Sequence, residues 1–320
     1  MRAALLVAVV TGCLALLSGC GESERPVVSE NNGPPKEDRL SGTVGVDGPR
    51  VLRSLVLAAA RNFEEETSVD VQVDQSGTET ALDKLCTGRI AIAGARRKIR
   101  PAERQACVKR GIGLTRLKIA NHVVGVATST ELGIHCITMR QLSELWRPGS
   151  TVTRYDQIDR DFPAERVKLY GPTIGHDSFA LFTRLAIGQP GAIRAGWETV
   201  VNRGALSARL ARSADVLAFY NLAQLEPVDE DVRLLAIDSG DGCVEPTTRN
   251  IQEGRYPLQE ALYLYVSERA LEQLRVRSFM QYLVENYEQV SLVAPSIIPV
   301  GEREIAEAER RLPQAECPPG

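Results

Sequence analysis

Three turns rich in Gly, Ser and Thr contain the residue types that hold an anion. They are strand-to-helix turns at residues 47–50, 76–78 and 171–178. Backbone N–H groups at a helix start, together with the helix dipole, favour a negative charge, and the hydroxyl groups add donors. In an open α/β sheet such turns lie at the carboxyl ends of strands, where ligands bind. Taken singly, each turn also fits an ordinary helix N-cap without a ligand.

A basic cluster, Arg96-Arg97-Lys98-Ile99-Arg100, is the strongest local charge in the sequence. Such a run is most often a solvated surface, because charged side chains are rarely buried. The whole chain of 320 residues has a net charge of −3, so its charge balance does not favour nucleic acid. We therefore expect no nucleic-acid partner.

Catalytic signatures are missing from the sequence. It has no Cys-x-x-Cys, His-Glu-x-x-His, Gly-x-Ser-x-Gly or Walker phosphate-loop motif. Its three histidines are His122, His135 and His176, and a lone histidine is more often structural than catalytic. We therefore expect no enzyme activity, no metal and no cofactor.

The first twenty residues have the order of a signal peptide. Met1 and Arg2 give a positive start, an apolar run follows to residue 17, and Leu17-Ser18-Gly19-Cys20 closes the segment. The apolar run is shorter than the roughly 20 residues that span a bilayer. Leu-Ser-Gly-Cys resembles the bacterial lipobox, which implies acyl chains such as palmitate on Cys20 and stable membrane anchoring. The alternative is a plain secretory signal in which Cys20 has no role.

Composition divides the remaining chain into a tether, a globular part and a tail. Residues 1–19 are the predicted signal peptide. Residues 20–40 contain few apolar groups, which predicts a flexible tether. The following ~280 residues suffice for one large domain or two ordinary ones, and the hydrophobic fraction of 43% is ordinary for a globular protein. Residues 313–320 form a tail.

Five cysteines remain beyond the signal peptide and Cys20: Cys86, Cys107, Cys136, Cys243 and Cys317. An exported protein sits where disulfides persist, and four cysteines allow three pairings. Cys86 and Cys107 are close in sequence, which favours that pair. Cys136 and Cys243 would then pair across a long loop, with Cys317 left over. Free buried thiols are the alternative.

Hydrophobic periodicity predicts alternating helices and strands. The predicted helices are residues 51–65, 78–86, 101–110, 138–145, 178–187, 275–287 and 302–311. The predicted strands are residues 69–73, 90–95, 112–119, 122–128, 167–170, 234–237 and 262–266. This alternation predicts an α/β architecture with mostly parallel sheets.

Together with their flanking motifs, the turns resemble those of the substrate-binding lipoproteins of bacterial phosphate ABC importers. The resemblance runs from about residue 41 to residue 299. Its sharpest motifs are Ser76-Gly77-Thr78, Leu145-Trp146-x-Pro148-Gly149-Ser150, Gly242-Cys243-Val244-x-Pro246 and Ile251-Gln252-x-Gly254-x-Tyr256-Pro257-Leu258. It also supports the disulfide pairs Cys86–Cys107 and Cys136–Cys243.

The resemblance implies a two-lobed periplasmic-binding-protein-like fold that closes over phosphate. Each lobe would be a mostly parallel sheet flanked by helices, and two crossover strands, near residues 117–126 and 262–266, would join the lobes. Lobe I would comprise residues 41–121 and 266–312, and lobe II residues 122–265. The implied protein is a monomer that faces the periplasm or the cell exterior and partners an ABC importer permease.

The ligand turns depart from the family pattern. The family's Asp-Gly-Ser-Ser-Thr is here Asp-Gly-Pro-Arg-Val at residues 47–51, which removes its hydroxyls and a backbone N–H. The family's Asp-Ala-Ser-Arg keeps only its Ala and Arg97, and in the third turn Asp177 replaces a glycine. The residues that the resemblance assigns to the ligand are Gly48, Arg50, Ser76, Gly77, Thr78, Arg96, Arg97, His176, Asp177 and Ser178.

These departures leave two functions open. Losing donors while adding Glu79 and Asp177 weakens a buried dianion site, because unpaired buried charge is costly. The added cations either offset this loss or pair with the acids and fill the cleft with salt bridges. The chain therefore either binds phosphate or a related oxyanion, or is a degenerate binding protein repurposed as a surface interaction or sensory lipoprotein without a small-anion ligand.

Overall fold

The computed structural model describes residues 40–225 and 230–313, which belong to one compact unit, Leu40–Gly320. The predicted signal peptide, Cys20 and Cys317 lie outside the described residues, as does nearly all of the tether. Within the described ranges, no helix is both long enough and apolar enough to cross a membrane. All strands, helices and buried clusters given below belong to this unit, which therefore has its own core.

Most of the described strands form one large sheet. The strands are β1 (Ser41–Asp47), β2 (Ser68–Val73), β3 (Ile92–Ala95), β4 (Leu114–Ser129), β5 (Cys136–Thr138), β6 (Lys168–Pro172), β7 (Glu198–Val200), β8 (Val216–Asn221), β9 (Val232–Leu234), β10 (Ala236–Asp238), β11 (Cys243–Val244), β12 (Gln259–Ser267) and β13 (Ile298–Pro299). The ten-stranded sheet has the order β2-β1-β3-β12-β4-β8-β6-β7, and β9 and β13 also pair with β4. A small sheet has the order β11-β10-β5.

Helices alternate with these strands as the periodicity predicts. They are α1 (Arg50–Glu66), α2 (Thr78–Cys86), α3 (Pro101–Lys109), α4 (Met139–Trp146), α5 (Asp177–Phe182), α6 (Arg203–Leu210), α7 (Leu222–Leu225), α8 (Thr248–Gln252), α9 (Glu268–Leu271), α10 (Leu274–Glu285), α11 (Tyr287–Leu292) and α12 (Glu302–Arg311). Two 3₁₀ helices occupy Thr130–Leu132 and Tyr155–Gln157, and a π-helix occupies Thr183–Ile187.

Local sequence signals account for several of these helices. Pro101 begins α3, where its missing N–H costs nothing. Thr138 is the N-cap of α4, and its side chain accepts a hydrogen bond from the N–H of Gln141 in a capping box. The apolar face of α1 is buried as its spacing predicts, from Val51 to Phe63.

The prediction of mostly parallel sheets is wrong for the centre of the large sheet. The pairs β1–β2, β1–β3, β6–β7 and β6–β8 are parallel, but β12 and β8 run antiparallel to β4. Strands β4 and β12 thus join two parallel halves into one mixed sheet. The parallel halves follow the βαβ alternation, whereas β4 and β12 are long strands whose direction local periodicity does not fix.

Four predicted elements are merged or divided in the structure. The predicted strands at residues 112–119 and 122–128 are one strand, β4, which runs unbroken through Asn121 and His122. The predicted strand at residues 234–237 is divided between β9 and β10. The predicted helix at residues 178–187 changes from α-helix to π-helix at Thr183.

The buried apolar residues of β4 belong to two clusters, one for each half of the strand. Leu117 and Ile119, in its first half, belong to a cluster with α1 and α10. Val124 and Val126, in its second half, belong to a cluster that contains Trp146 of α4. The two clusters therefore flank the middle of one strand, where the polar residues Asn121 and His122 are buried.

Two disulfides confirm the predicted pairings. Cys86 and Cys107 have Cα atoms 4.5 Å apart and join the end of α2 to α3. Cys136 and Cys243 have Cα atoms 6.0 Å apart and join β5 to β11. Both separations are within the normal range for disulfides.

Candidate functional site

The three predicted turns meet beside the middle of strand β4. The three turns follow β1, β2 and β6 and lead into α1, α2 and α5. The basic cluster joins them, because it follows the end of β3 at Ala95. Strand β12 pairs antiparallel with β4, which sets Glu260 directly opposite His122. The middle of β4 thus has charged and polar groups from both halves of the sheet around it.

Asp47 is buried and organises the first two turns. Its carboxylate accepts hydrogen bonds from the N–H of Gly48 (2.7 Å), the N–H of Ser76 (2.8 Å) and the ammonium of Lys84 (2.6 Å), and the hydroxyl of Ser76 also donates to it. Burial alone would raise the pKa of Asp47, but the hydrogen bonds from Lys84 and Ser76 outweigh burial and hold it below its usual range. These donors therefore already have an acceptor within the protein.

The small residues of the first two turns set backbone geometry. A Cβ atom on Gly48 would lie 2.9 Å from Cα of Gly94, so glycine is needed for this close approach. Gly77 has a φ of 91° and donates its N–H to the carbonyl of Gly48 at 3.0 Å. The hydroxyl oxygen of Thr78 accepts from the N–H of Arg96 at 3.1 Å, which fixes the backbone of the basic cluster.

Glu260 is a buried carboxylate at the centre of the site. The guanidinium of Arg96 donates to one of its oxygens and that of Arg184 to the other. Nδ1 of His122, a fully buried residue, lies 3.2 Å from Oε1. Burial would raise the pKa of Glu260, but the hydrogen bond from His122 and the charge of Arg96 lower it overall. Glu260 is thus an ionised carboxylate held between two arginines.

Asp177, at the start of α5, joins the third turn to the first. Its carboxylate lies 3.2 Å from Nε of Arg50 and 3.4 Å from a terminal nitrogen of Arg96. Arg50 also donates to the carbonyl of Gly175 at 2.6 Å. Two cations from the first half of the sheet are therefore already paired with the second half.

His176 and Ser178 contact each other more than the centre of the site. Nδ1 of His176 accepts from the N–H of Ser178 at 3.2 Å, which caps α5, and its ring packs against Tyr220. Burial lowers the pKa of His176, so it is neutral at pH 7. The hydroxyl of Ser178 is buried and lies 3.3 Å from Nε2 of His122. Of the two side chains, Ser178 faces the network.

Arg97 points away from this network. Its terminal nitrogens donate to Glu103 at 2.7 and 2.8 Å and to Glu79 at 2.9 Å. The hydrogen bond from Arg97 is the main reason why the pKa of Glu79 is lowered, and the same holds for Glu103. Arg97 is therefore neutralised locally by two carboxylates.

Four of the ten predicted residues belong to one charged network: Arg50, Arg96, Asp177 and Ser178. Gly48, Ser76, Gly77, Thr78 and His176 support it from the turns. Three members were not predicted: His122, Arg184 and Glu260. Three guanidinium groups against two carboxylates leave one net positive charge, without counting His122. Such a network can accept an anion, provided that the internal ion pairs rearrange.

This α/β fold, with anion-type turns gathered beside two long antiparallel strands, is that of a solute-binding protein. The chain belongs to the PBP superfamily, whose domain profile matches residues 33–286. This membership confirms the resemblance predicted from the sequence.

Individual relatives agree with the superfamily assignment. The chain is 25% identical over 254 residues to Protein SphX of Synechocystis, covering 78% of this chain and 76% of that protein. It is 23% identical over 279 residues to the phosphate-binding protein PstS of Staphylococcus saprophyticus, covering 86% and 83%. The crystal structure of a possible phosphate binding protein from Planctomyces limnophilus matches with a TM-score of 0.77 and 25% identity, covering 85% and 98%. None of these relatives is named as an enzyme, in agreement with the prediction.

Proposed function

We propose that the protein is an extracytoplasmic solute-binding lipoprotein that binds phosphate or a related oxyanion between two lobes. Lobe I comprises residues 41–121 and 266–312, and lobe II comprises residues 122–265, joined by β4 and β12. A lipid on Cys20 and a tether over residues 20–40 hold it at the membrane, facing the periplasm or the cell exterior. An ABC importer permease is its partner if transport is retained.

One observation carries the proposal: cations and donors from both halves converge on the middle of β4. Arg96 comes from the end of β3, Arg184 from the π-helix that follows α5, and Ser178 from the start of α5. Groups from two lobes that meet at one point are what a closing binding site requires. The names of the relatives, which include phosphate-binding proteins, indicate the class of ligand.

A second candidate, a degenerate binding protein without a small-anion ligand, is favoured by a different observation. Every arginine of the network already has a carboxylate partner: Arg50 pairs with Asp177, and Arg96 and Arg184 pair with Glu260. A buried carboxylate between two arginines is itself an internal anion. In this candidate the ion pairs hold the lobes together and the protein acts through its surface.

Titration calorimetry of Leu40–Gly320 with phosphate, sulfate and methylphosphonate tests the first candidate. We expect heat with one of these anions and at least about tenfold weaker binding in Arg96→Gln, because a hydrogen bond to a charged group contributes ~1.5–3 kcal/mol. Arg97→Gln is the matched control. It removes the same charge one residue away, where Glu79 and Glu103 already neutralise it, so we expect less than about a threefold change.

The variant Glu260→Gln separates the two candidates. Removing this carboxylate leaves Arg96 and Arg184 without their shared counter-charge, so a binding site should gain affinity by at least about tenfold. A folded wild-type protein that gives no heat with any of the three anions would exclude the first candidate. Binding that appears only in Glu260→Gln would support the second candidate, because the internal carboxylate then excludes the ligand.

A further inference from the structure

A second polar cavity lies at the end of the large sheet opposite the charged network. Its volume is about 690 Å³. It is lined by Thr43 and Gly45 of β1 and by Ile90 and Ala91, which immediately precede β3. The network lies beyond the other ends of these strands, after Asp47 and Ala95. The two sites therefore occupy opposite ends of the same parallel strands.

The lining of this cavity is strongly basic. It includes Arg89, Arg110, Arg269 and Arg275 and no aspartate or glutamate. Arg89 pairs with Asp83, which lies outside the lining, at 2.7 Å. Within residues 40–225 and 230–313, no carboxylate pairs with the side chain of Arg110, Arg269 or Arg275. Three unneutralised arginines around one cavity attract an anion, although the whole chain has a net charge of −3.

Helix dipoles do not explain the position of Arg275. Arg89 and Arg110 follow the carboxyl ends of α2 and α3, where a cation is favourable, and Arg269 lies in α9, which is a single turn without separate ends. Arg275 is the second residue of the 12-residue helix α10, where a cation opposes the dipole. Arg275 is also held in place, because its Nε donates to the carbonyl of Thr43 at 3.0 Å. The position of Arg275 is electrostatically unfavourable for its helix, yet a hydrogen bond holds the side chain in place. This combination indicates that the side chain has a role other than stabilising the helix.

The cavity lies beside the point where the described chain begins. Strand β1 starts at Ser41, and a Cβ atom on Gly42 would lie 3.1 Å from Cδ of Arg275. Twenty residues separate Cys20 from Leu40, a span of at most ~70 Å. A lipid on Cys20 would thus hold Leu40 within ~70 Å of a membrane surface, which allows this end of the sheet to contact that surface.

We propose that this arginine cavity binds the phosphate headgroups of anionic phospholipids in the membrane that anchors the chain. The inference rests on the anchoring part of the proposed function. Guanidinium groups bind phosphate through paired charge-assisted hydrogen bonds, and each basic residue near an anionic bilayer adds to the attraction. With this end of the sheet on the membrane, the charged network at the opposite end faces away from it.

Vesicle co-sedimentation of Leu40–Gly320, which has neither signal peptide nor lipid, tests the proposal. We expect at least about tenfold stronger binding to vesicles of equal parts phosphatidylcholine and phosphatidylglycerol than to phosphatidylcholine alone, and weaker binding at high salt. The variant Arg110→Glu/Arg269→Glu should lose at least about tenfold. The control Arg160→Glu/Arg212→Glu changes the net charge equally at exposed positions elsewhere, so it should change binding by less than about threefold.

Three outcomes would overturn the proposal: equal binding to both vesicle types, equal loss in the two double variants, or saturable binding of free glycerol phosphate to the arginine cavity without vesicle binding. Arg110→Gln/Arg269→Gln, which introduces no new charge, checks that a loss does not come from misfolding. Failure of the proposed function is observed separately. Arg96→Gln leaves vesicle binding unchanged but alters calorimetry, and mass spectrometry of the full chain extracted from membranes reports lipid on Cys20.

Discussion

At the residue scale, Glu260 determines the charge of the site. It is buried and has three partners, Arg96, Arg184 and His122. A buried carboxylate is costly unless it is paired, and removing one partner of a buried pair leaves the others uncompensated. The pairing of Glu260 with its arginines therefore stabilises the folded protein and at the same time occupies side chains that an anion would need.

Glu260→Gln should lower the free energy of unfolding at pH 7 by about 1–3 kcal/mol, because the buried site loses its negative charge while its arginines remain partly exposed. Urea unfolding followed by circular dichroism measures the change. Glu253→Gln is the control, since Glu253 pairs with Arg249 and Arg255 at the surface, and its midpoint should stay unchanged. Equal effects of the two variants would contradict a special role for Glu260.

The sequence predicted the turn residues of the site better than its centre. Arg50, Arg96, Asp177 and Ser178 stand in turns whose composition indicates anion chemistry. Glu260 opens an apolar strand, where an acid normally faces solvent, and its burial depends on His122, which is 138 residues away in the chain. Such long-range contacts have no local signal. Composition likewise could not indicate that Arg97 pairs with Glu103 instead of joining the network.

At the element scale, the close contact between the first turn and strand β3 positions α1 against β3. The Cα atoms of Gly48 and Gly94 are near enough that a methyl group on either would meet the other backbone or its neighbours. Main chain cannot move aside as a side chain can. The geometry of the first ligand turn thus depends on this pair of glycines.

Gly48→Ala should destabilise the protein by about 1–3 kcal/mol through overpacking. Gly204→Ala is the control, because Gly204 lies within α6 and its nearest neighbour to an added Cβ, in the side chain of Asn202, is 3.6 Å away. Alanine there should be neutral or stabilise by up to ~1 kcal/mol. Thermal unfolding monitored by circular dichroism compares the stabilities of the two variants. A Gly48→Ala variant as stable as the wild type would show that the backbones at Gly48 and Gly94 can move apart.

The two disulfides close chain segments of different length. Removing Cys136–Cys243, which spans 107 residues, should cost about 5 kcal/mol, and removing Cys86–Cys107, which spans 21, about 3 kcal/mol. Paired Cys→Ala variants and denaturant unfolding measure both. A larger loss of unfolding free energy for Cys136–Cys243 would show that the disulfides stabilise mainly by restricting the unfolded chain. A larger loss for Cys86–Cys107 would indicate that local packing around the buried Cys107 matters more.

Strong local periodicity made most helices predictable, whereas the central strands were not. The helix from Thr78 to Cys86 and the helix from Glu302 to Arg311 have the predicted bounds. Strand β4 was predicted as two strands, 112–119 and 122–128, because Asn121 interrupts its apolar run. Asn121 and the adjacent His122 are both buried inside one continuous strand, so the interruption marks buried polar groups and not a turn.

At the scale of the whole molecule, several buried or paired groups have shifted pKa values, and the direction of each shift means that acid lowers the stability of the folded protein. The pKa values of Asp47, Glu79 and Glu260 are lowered. Their contribution to the stability of the fold is fully present above the pKa values of the unfolded chain, 3.8 for Asp and 4.5 for Glu. It is lost as the pH falls through the lower pKa values of the folded protein. Burial also lowers the pKa of His176, so its protonation below about 6.5 favours the unfolded chain.

We therefore expect the urea midpoint to be constant from pH 8 to 7, to fall slightly below pH 6.5, and to fall steeply below pH 4.5. Equilibrium unfolding at pH 8, 5.5 and 4 measures this dependence. His176→Asn should remove the slight fall near pH 6 while it keeps the steep fall. A midpoint that rises on acidification would contradict the assigned pKa directions.

The buried cluster around α1 has a consequence for synthesis of the chain. Its members come from Val44 to Ala120 and from Leu262 to Leu312, whereas the cluster around Trp146 comes from residues 123–258 with Ile298 as the one addition. Ribosomes add ~5–20 residues per second, so α1 is made tens of seconds before α10 and α12 exist to cover it. The segment that contains α1 is therefore made early but is among the last to finish folding. A chaperone would be needed most at this amino-terminal part of the newly synthesised chain.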